Sequence, residues 1–342
     1  MAPGAEPEQM PARRTPFSPR GRWLRAAAAW VPAAMALGLG LGGAAAFGAA
    51  AKPAILDPAL TKLLASGDLR GLDGACAMAV KQGDGPRLRL LQGRLLSLHP
   101  APQPLAVVLA NADVLLRCEA PDGALQVLAR ISPAAGAERI QWLVMQWRAA
   151  QAGLHHQLAA NALIRLAAGN LAQLDRLELP VNQRQDGSAV TRSALDLLAG
   201  HLESLGQRRR AAEVLLRGTQ LGAVQAARLA QAVALLDGMA PAEQDRLLEL
   251  ALEQAASAGA WGLVGQILDL QLALATGSPE RAERVVARRL RLTGGIDDAY
   301  GEWLLRRQDP AAQPRQAELD QQLRSPRSPG GHALSPAFGS QP

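Results

Sequence analysis

Five histidines, His99, His155, His156, His201 and His332, are the residues best suited to metal or proton-transfer chemistry. His155 and His156 are adjacent, so on a helix their rings point about 100° apart and do not converge on one ion. No His-x-x-x-His or Cys-x-x-Cys spacing supplies the converging ligands of a metal site. Acid–base chemistry needs a positioned carboxylic acid, and Glu302, beside Tyr300 and Trp303, is the nearest candidate. Asp297 and Asp298 read as a helix start rather than an acid/base pair. No Gly-x-Ser-x-Gly elbow, phosphate loop or Gly-x-Gly-x-x-Gly fingerprint occurs, and the glycine-rich run at 38–43 follows no strand. No catalytic, metal or cofactor-binding residues are assigned, and no cofactor is expected. Cys76 and Cys118 have two readings. In an oxidising compartment they can form a disulfide, which over 42 residues of chain stabilises a fold by ~4 kcal/mol on loop-closure entropy. Otherwise they are two small buried apolar side chains.

Composition limits what can position these residues. The chain has 342 residues, 49% hydrophobic but only 3% aromatic, with Ala and Leu far ahead of the β-branched types. Sandwiches, barrels and parallel sheets need β-branched and aromatic residues, so an all-α fold is expected. The sequence pI of about 10.2 points toward nucleic acid until the charges are located. Arg13, Arg14, Arg20, Arg22 and Arg25 outnumber Glu6 and Glu8 in the first 25 residues, and residues 306–342 carry five arginines against three acids. The remainder is nearly neutral. The runs Arg208, Arg209, Arg210 and Arg284, Arg288, Arg289, Arg291 have no interleaved aromatics on which bases could stack, so they read as solvated helix faces and no nucleic-acid partner is expected.

The first segment points to a membrane. Residues 26–51 contain no charged side chain. A helix of that length reaches roughly 39 Å, longer than the ~30 Å hydrocarbon core of a bilayer. The arginines before it place residues 1–25 in the cytoplasm and the rest of the chain across the membrane, periplasmic or lumenal. The run is rich in Ala and Gly, so an uncleaved signal-anchor, a signal peptide cut near Ala49-Ala50-Ala51, and a buried Ala-rich helix all remain open.

Residues 52–307 read as helix after helix. Apolar positions recur three and four apart, as in Leu195, Leu198, Leu202 and in Leu247, Leu248, Ala251, Leu252. Glycine, proline and aspartate breaks fall roughly 15 to 20 residues apart, the spacing of antiparallel helix hairpins. The polar stretch 181–188 is expected to be a surface loop between a first helical half, 52–180, and a second, 189–307. Trp142 and Trp147 are placed to anchor the interior between them. Residues 308–342 turn polar and rich in Pro, Ser, Gly and Gln, the composition of a disordered tail.

One stretch resembles the tetratricopeptide repeat (TPR), a helix–turn–helix with large and small apolar residues at set offsets. Leu195, Leu198, Ala199 and Leu202 fill its first helix, and Ala211, Leu215, Gly218 and Ala223 follow at the family spacing. A weaker copy runs through Val108, Ala112, Leu115, Ala124, Leu128 and Ile131, with Asn111 where a large apolar residue is expected. The register fails elsewhere: one period beyond Ala211 lies Asp245. The resemblance implies an irregular α-solenoid of helix hairpins with a groove that binds protein or peptide partners. Carried onto this sequence, the groove positions are Ser193, Asp196, Gly200 and Glu203. Two acids and no amide do not make a clamp for a carboxylate, and such a groove suits a basic or neutral segment. The functional expectation is a membrane-anchored, non-catalytic scaffold of a bacterial-type envelope, binding a protein partner or supporting assembly of a complex. The alternatives are a helical cell-wall-acting enzyme built on Glu302 and a soluble cytoplasmic helical adaptor.

Overall fold

Short acidic residues standing before apolar runs start the first helices. A computed structural model describes residues 57–307 and 309–324. Asp57 accepts from the Ala59 amide at the start of α1 (Pro58–Ser66), Asp68 from Arg70 and Gly71 at α2 (Leu69–Gln82), and Asp84 from Arg87 at α3 (Gly85–Ser97). First-turn amides have no partner inside a helix, and these carboxylates supply one. The chain continues through α4 (Leu105–Arg117), α5 (Pro121–Leu128), α6 (Ala137–Ala152) and α7 (His156–Leu166). A 3-10 turn (Leu171–Asp175) leads into the strands β1 (Glu178–Gln183) and β2 (Ala189–Ser193). Then come α8 (Ala194–Ser204), α9 (Arg208–Leu215), α10 (Ala223–Leu235), α11 (Pro241–Ser257) and α12 (Trp261–Leu274). The last are α13 (Pro279–Gly295), α14 (Ala299–Arg306) and α15 (Gln313–Arg324). The fold is all-α with one small antiparallel hairpin. Among the described residues no helix is long and apolar enough to cross a membrane; residues 26–51, like the basic segment before them, lie outside the described residues.

Two expectations are corrected. The 181–188 segment is not a plain loop: β1 extends to Gln183, and the Arg184 amide bonds the Ser188 carbonyl at 2.8 Å to turn the chain into β2. Its inward alternation consists of little more than Leu179, too short a signal to read as a strand. The polar tail is also ordered through Arg324 as α15, because Leu319 is fully buried and Arg315 pairs with Glu302 on α14. Residues 325–342 lie outside the described residues.

One turn recurs. After α2, α4, α6, α8, α11 and α13 the chain passes through a single left-handed residue: Gly83, Glu119, Leu154, Gly206, Gly259 and Asp297. The next amide reaches back to a carbonyl in the last helical turn, at 2.8–2.9 Å each time: Asp84 to Ala79, Ala120 to Leu115, His155 to Ala150, Gln207 to Leu202, Ala260 to Ala255, and Asp298 to Thr293. This is the Schellman closure, and each accepting residue is buried. Small residues then let the second helix approach. Ala124, Ala159 and Ala211, each early in the helix after its turn, are fully buried, and Leu128, Leu163 and Leu215 pack one turn further on.

Packing stays local along the chain. Helices meet their neighbours in sequence and the helix after next, as α2 meets α4, α3 meets α5, α4 meets α6 and α10 meets α12. One apolar core runs from Leu60 to Ala232, including Trp142 and Trp147, and a second from Ala226 to Val285, so that α10 contributes to both. Cys76 on α2 and Cys118 at the end of α4 are both fully buried and joined as a disulfide, with Cα atoms 5.1 Å apart. Asn111, the polar intruder in the weaker repeat copy, is fully buried and donates to the Leu95 carbonyl at 3.0 Å, tying α4 to α3.

Candidate partner groove

The residues expected to line a groove on α8 are engaged by the chain itself. Ser193 is buried: its Oγ accepts from the Leu195 amide and donates to the Leu174 carbonyl, both at 3.2 Å, so it caps the helix rather than facing a ligand. Asp196 is held by Arg228 of α10, with Nε at 2.6 Å and Nη2 at 3.2 Å from its carboxylate oxygens. Glu203 accepts from Gln231, also on α10. Gly200 alone is exposed with open space before it. The reason is α10, which places polar side chains against this face of α8.

Arg228 is the centre of that closure. Its guanidinium also pairs with Asp175, and both residues are almost fully buried. Asp175 further accepts the Thr219 amide at 2.6 Å, the Thr219 hydroxyl at 2.9 Å and the Gln220 amide at 3.0 Å. Burial pushes the Asp175 carboxyl up, but the Thr219 amide and Arg228 outweigh it, so the group stays below its ordinary value. Gly218 is required here for close approach, since a Cβ on it would stand 2.5 Å from Arg228 Nη1.

The histidines also find partners. His155 Nε2 meets the Asp122 carboxylate at 2.5 Å. His156 Nδ1 and His201 Nδ1 stand 3.1 Å apart, and Trp147 Nε1 donates to His201 Nε2 at 3.3 Å. Since the indole can only donate, the neutral His201 carries its proton on Nδ1 and gives that hydrogen bond to His156. Burial first, and His156 second, push His201 down to about 4. Among the described residues no group of three or more His, Cys, Asp or Glu side chains is placed to hold a metal ion. Glu302, the candidate acid, lies between Arg315 (3.0 Å) and Arg306 (2.7 Å), which hold it below its ordinary value. A general acid must carry its proton near neutral pH, so this environment opposes that role. Asp298 caps α14 through the Gly301 amide at 2.8 Å.

An open groove lies instead where α11 and α13 flank α12. Its volume is about 730 Å³. Leu252 and Ala256 of α11, Val264 and Leu268 of α12, and Leu292 of α13 make an apolar floor; Arg246, Glu249, Leu250, Glu253, Arg288 and Arg291 form the rim. The walls are bridged by Arg281 to Asp245 and by Arg288 to Glu249. Counted back from the left-handed turn residue, Ser193, Asp196, Gly200 and Glu203 before Gly206 correspond to Arg246, Glu249, Glu253 and Ala256 before Gly259. All four of the latter line the groove. Burial matches as well: Leu195, Leu198 and Leu202 correspond to Leu248, Ala251 and Ala255, and all are buried. The apolar spacing at 247–252 and the arginine run at 284–291 were the legible signals, but the sequence register did not connect them to a groove.

Compared with known proteins, the chain matches no family model and no curated protein.

Proposed function

We propose that this chain is a non-catalytic, membrane-anchored scaffold whose helical domain is an irregular TPR-like α-solenoid binding a protein partner in the α11–α13 groove. The observation that carries the reading is that groove. The α11 residues at the turn-relative positions that the family resemblance assigns to partner contact, Arg246, Glu249, Glu253 and Ala256, all line it. Three further observations support it. Uninterrupted hairpins place their left-handed turns, Gly83, Glu119 and Leu154, about 35 residues apart, near the TPR period of ~34. Packing runs between near neighbours in sequence, as in stacked repeats. A disulfide fits a domain outside the cytoplasm, and the uncharged stretch 26–51 fits an anchor that puts it there.

Two measurements test the parts separately. A photo-crosslinker at Leu250, on the groove rim, is expected to trap one defined partner in the native host, whereas one at the exposed Leu154 turn is not. Indistinguishable adducts from both positions, or none from either, remove the groove reading. Fractionation of the C-terminally tagged chain, with protease added before and after disrupting the membrane, is expected to show a membrane-bound domain shielded from the cytoplasm. Recovery in the soluble cytoplasmic fraction removes the anchor.

A further inference from the structure

We infer that the contact between α8 and the α6–α7 hairpin is an acid-released joint, closed by a chain of hydrogen bonds that has no place for an added proton. The chain runs through three rings on three helices. Trp147 of α6 donates its Nε1–H to Nε2 of His201 on α8 at 3.3 Å, and His201 Nδ1 stands 3.1 Å from Nδ1 of His156, the first residue of α7. Trp147 and His201 are buried. An indole nitrogen only donates, so the other protons are fixed in turn: His201 carries hydrogen on Nδ1, and His156 keeps Nδ1 bare and carries its hydrogen on Nε2. A proton added to His201 goes on Nε2 and sets two N–H groups against each other at Trp147. A proton added to His156 goes on Nδ1 and does the same at His201. Either one cancels a hydrogen bond that joins α8 to the hairpin before it, and a second puts like charges on rings whose centroids are 5.4 Å apart. Among the described residues neither ring contacts a carboxylate that could offset this charge. On the elements packed around them, Arg148 of α6 is tied to Asp113, and Arg165 of α7 lies over the Trp142 ring. Asp175 of the 3-10 turn and Asp196 of α8 are held by Arg228, and Glu203 of α8 accepts from Gln231. At the start of α6, Glu138 is exposed and Arg139 donates to the Pro133 carbonyl. Arg192 of β2 and the charged residues of α9, Arg208, Arg209, Arg210 and Glu213, are exposed, and His155 faces Asp122. Burial first, and His156 second, are therefore what hold His201 down at about 4. The joint lies between complete hairpins. Helix α6 packs on α7 and α8 on α9, so parting between α7 and α8 leaves each pair whole, with the 3-10 turn and the β-hairpin as the connecting chain. Histidine protonation that cancels contacts between two packed elements is a recurrent way of moving one against the other.

The test follows backbone hydrogen exchange of the full chain from about pH 7.5 to about pH 4, each rate divided by that of an unstructured peptide at the same pH. Opening at the facing turns of α7 and α8 is expected to rise on the order of a hundredfold over that range, the ratio set by an open-state ring at its ordinary ~6.5 and a closed one at about 4. Protection of α2–α4 is expected to change far less. His156→Asn/His201→Gln keeps an acceptor toward Trp147 and removes both titrating rings. It is expected to hold the protection of the joint level with that of α2–α4 at every pH. The indole N–H resonance of Trp147 reads the same event in the unaltered chain: it is expected to be protected at neutral pH and to exchange freely at the acid end while helical circular dichroism persists. No rise in opening at the joint, an equal rise in every helix, or a pH dependence unmoved by the double variant each overturns the inference. Where the double variant does not fold, the indole decides, and protection retained at the acid end overturns it.

Discussion

Arg228 shows how one side chain decides whether a surface is available. It is buried between Asp175 and Asp196, and with it the face of α8 that carries Asp196 is occupied. Removing it leaves Asp175 as an uncompensated buried carboxylate, so Arg228→Met is expected to destabilise the domain by ~3–5 kcal/mol in urea titration. Asp196 is partly exposed, and Asp196→Asn is expected to cost far less. Equal costs refute the assignment of Asp175 as the dependent partner. Gly218→Ala is expected to act in the same direction as Arg228→Met by pushing the guanidinium away. His201 governs a different range of conditions. Its folded value of about 4 lies below the ordinary ~6.5, so between those pH values the unfolded chain binds a proton that the native state refuses. Its contribution is complete above pH ~6.5 and is lost as pH falls toward about 4, by on the order of 3 kcal/mol. Asp175, Glu249 and Glu302 are all shifted down, so their contributions are lost only at lower pH, through the carboxylate range. His201→Gln should therefore flatten the decline between pH 6.5 and 4 while leaving the acid limb; an unchanged slope assigns the decline elsewhere.

Helices were legible in the sequence wherever a break carried glycine, proline or aspartate, as at Gly83-Asp84, Pro121 and Pro279. The recurring turn was not, because half of its left-handed residues are Glu119, Leu154 and Asp297, which carry side chains into a conformation that costs roughly 1–2 kcal/mol. Their turns are stabilised by burial on both sides, and burial has no local spelling. Helix α10 hid the register further. Counting a fixed period from Ala211 reaches Asp245, whereas the next Schellman turn is delayed to Gly259 because α10 intervenes. The same insertion explains why Ser193, Asp196 and Glu203 were read as groove residues while the open groove lies on α11. The β-hairpin and α15 escaped detection for a simpler reason, since Leu179 and Leu319 are each a lone buried apolar residue in a polar stretch. The disulfide belongs to this scale too, because it ties α2 to the end of α4. Cys76→Ala/Cys118→Ala, or reduction, is expected to lower stability by ~4 kcal/mol and to leave helical circular dichroism unchanged at 25 °C. Loss of helicity on reduction means instead that the first hairpins do not hold together without the bond.

Across the molecule, stability is not expected to be shared evenly. The first core runs from Leu60 to Ala232 and contains the disulfide and both central tryptophans, whereas the second is smaller and borders the open groove. Helices whose contacts are mainly with near neighbours in sequence open in stages rather than all at once. Native-state hydrogen exchange is expected to show α11–α13 opening at lower denaturant than α2–α8. Simultaneous exchange of both regions identifies a single cooperative unit. The continuity of the first core across the β-hairpin was foreseen only as two halves with an interior contact at Trp142 and Trp147; the apolar periodicity gave the helices, and the way they pack on one another was set by turns that periodicity does not encode.

The sulfur atoms joining Cys76 and Cys118 sit where no small molecule can touch them, since neither residue has any exposed surface. A reductant must wait for α2 to lift away from α4. In excess thiol, the speed at which the bond breaks is therefore set by how often that junction parts, and it levels off once attack outpaces reclosure. The bond is thus a clock for the breathing of the first hairpins, readable by thiol trapping alone on the native chain.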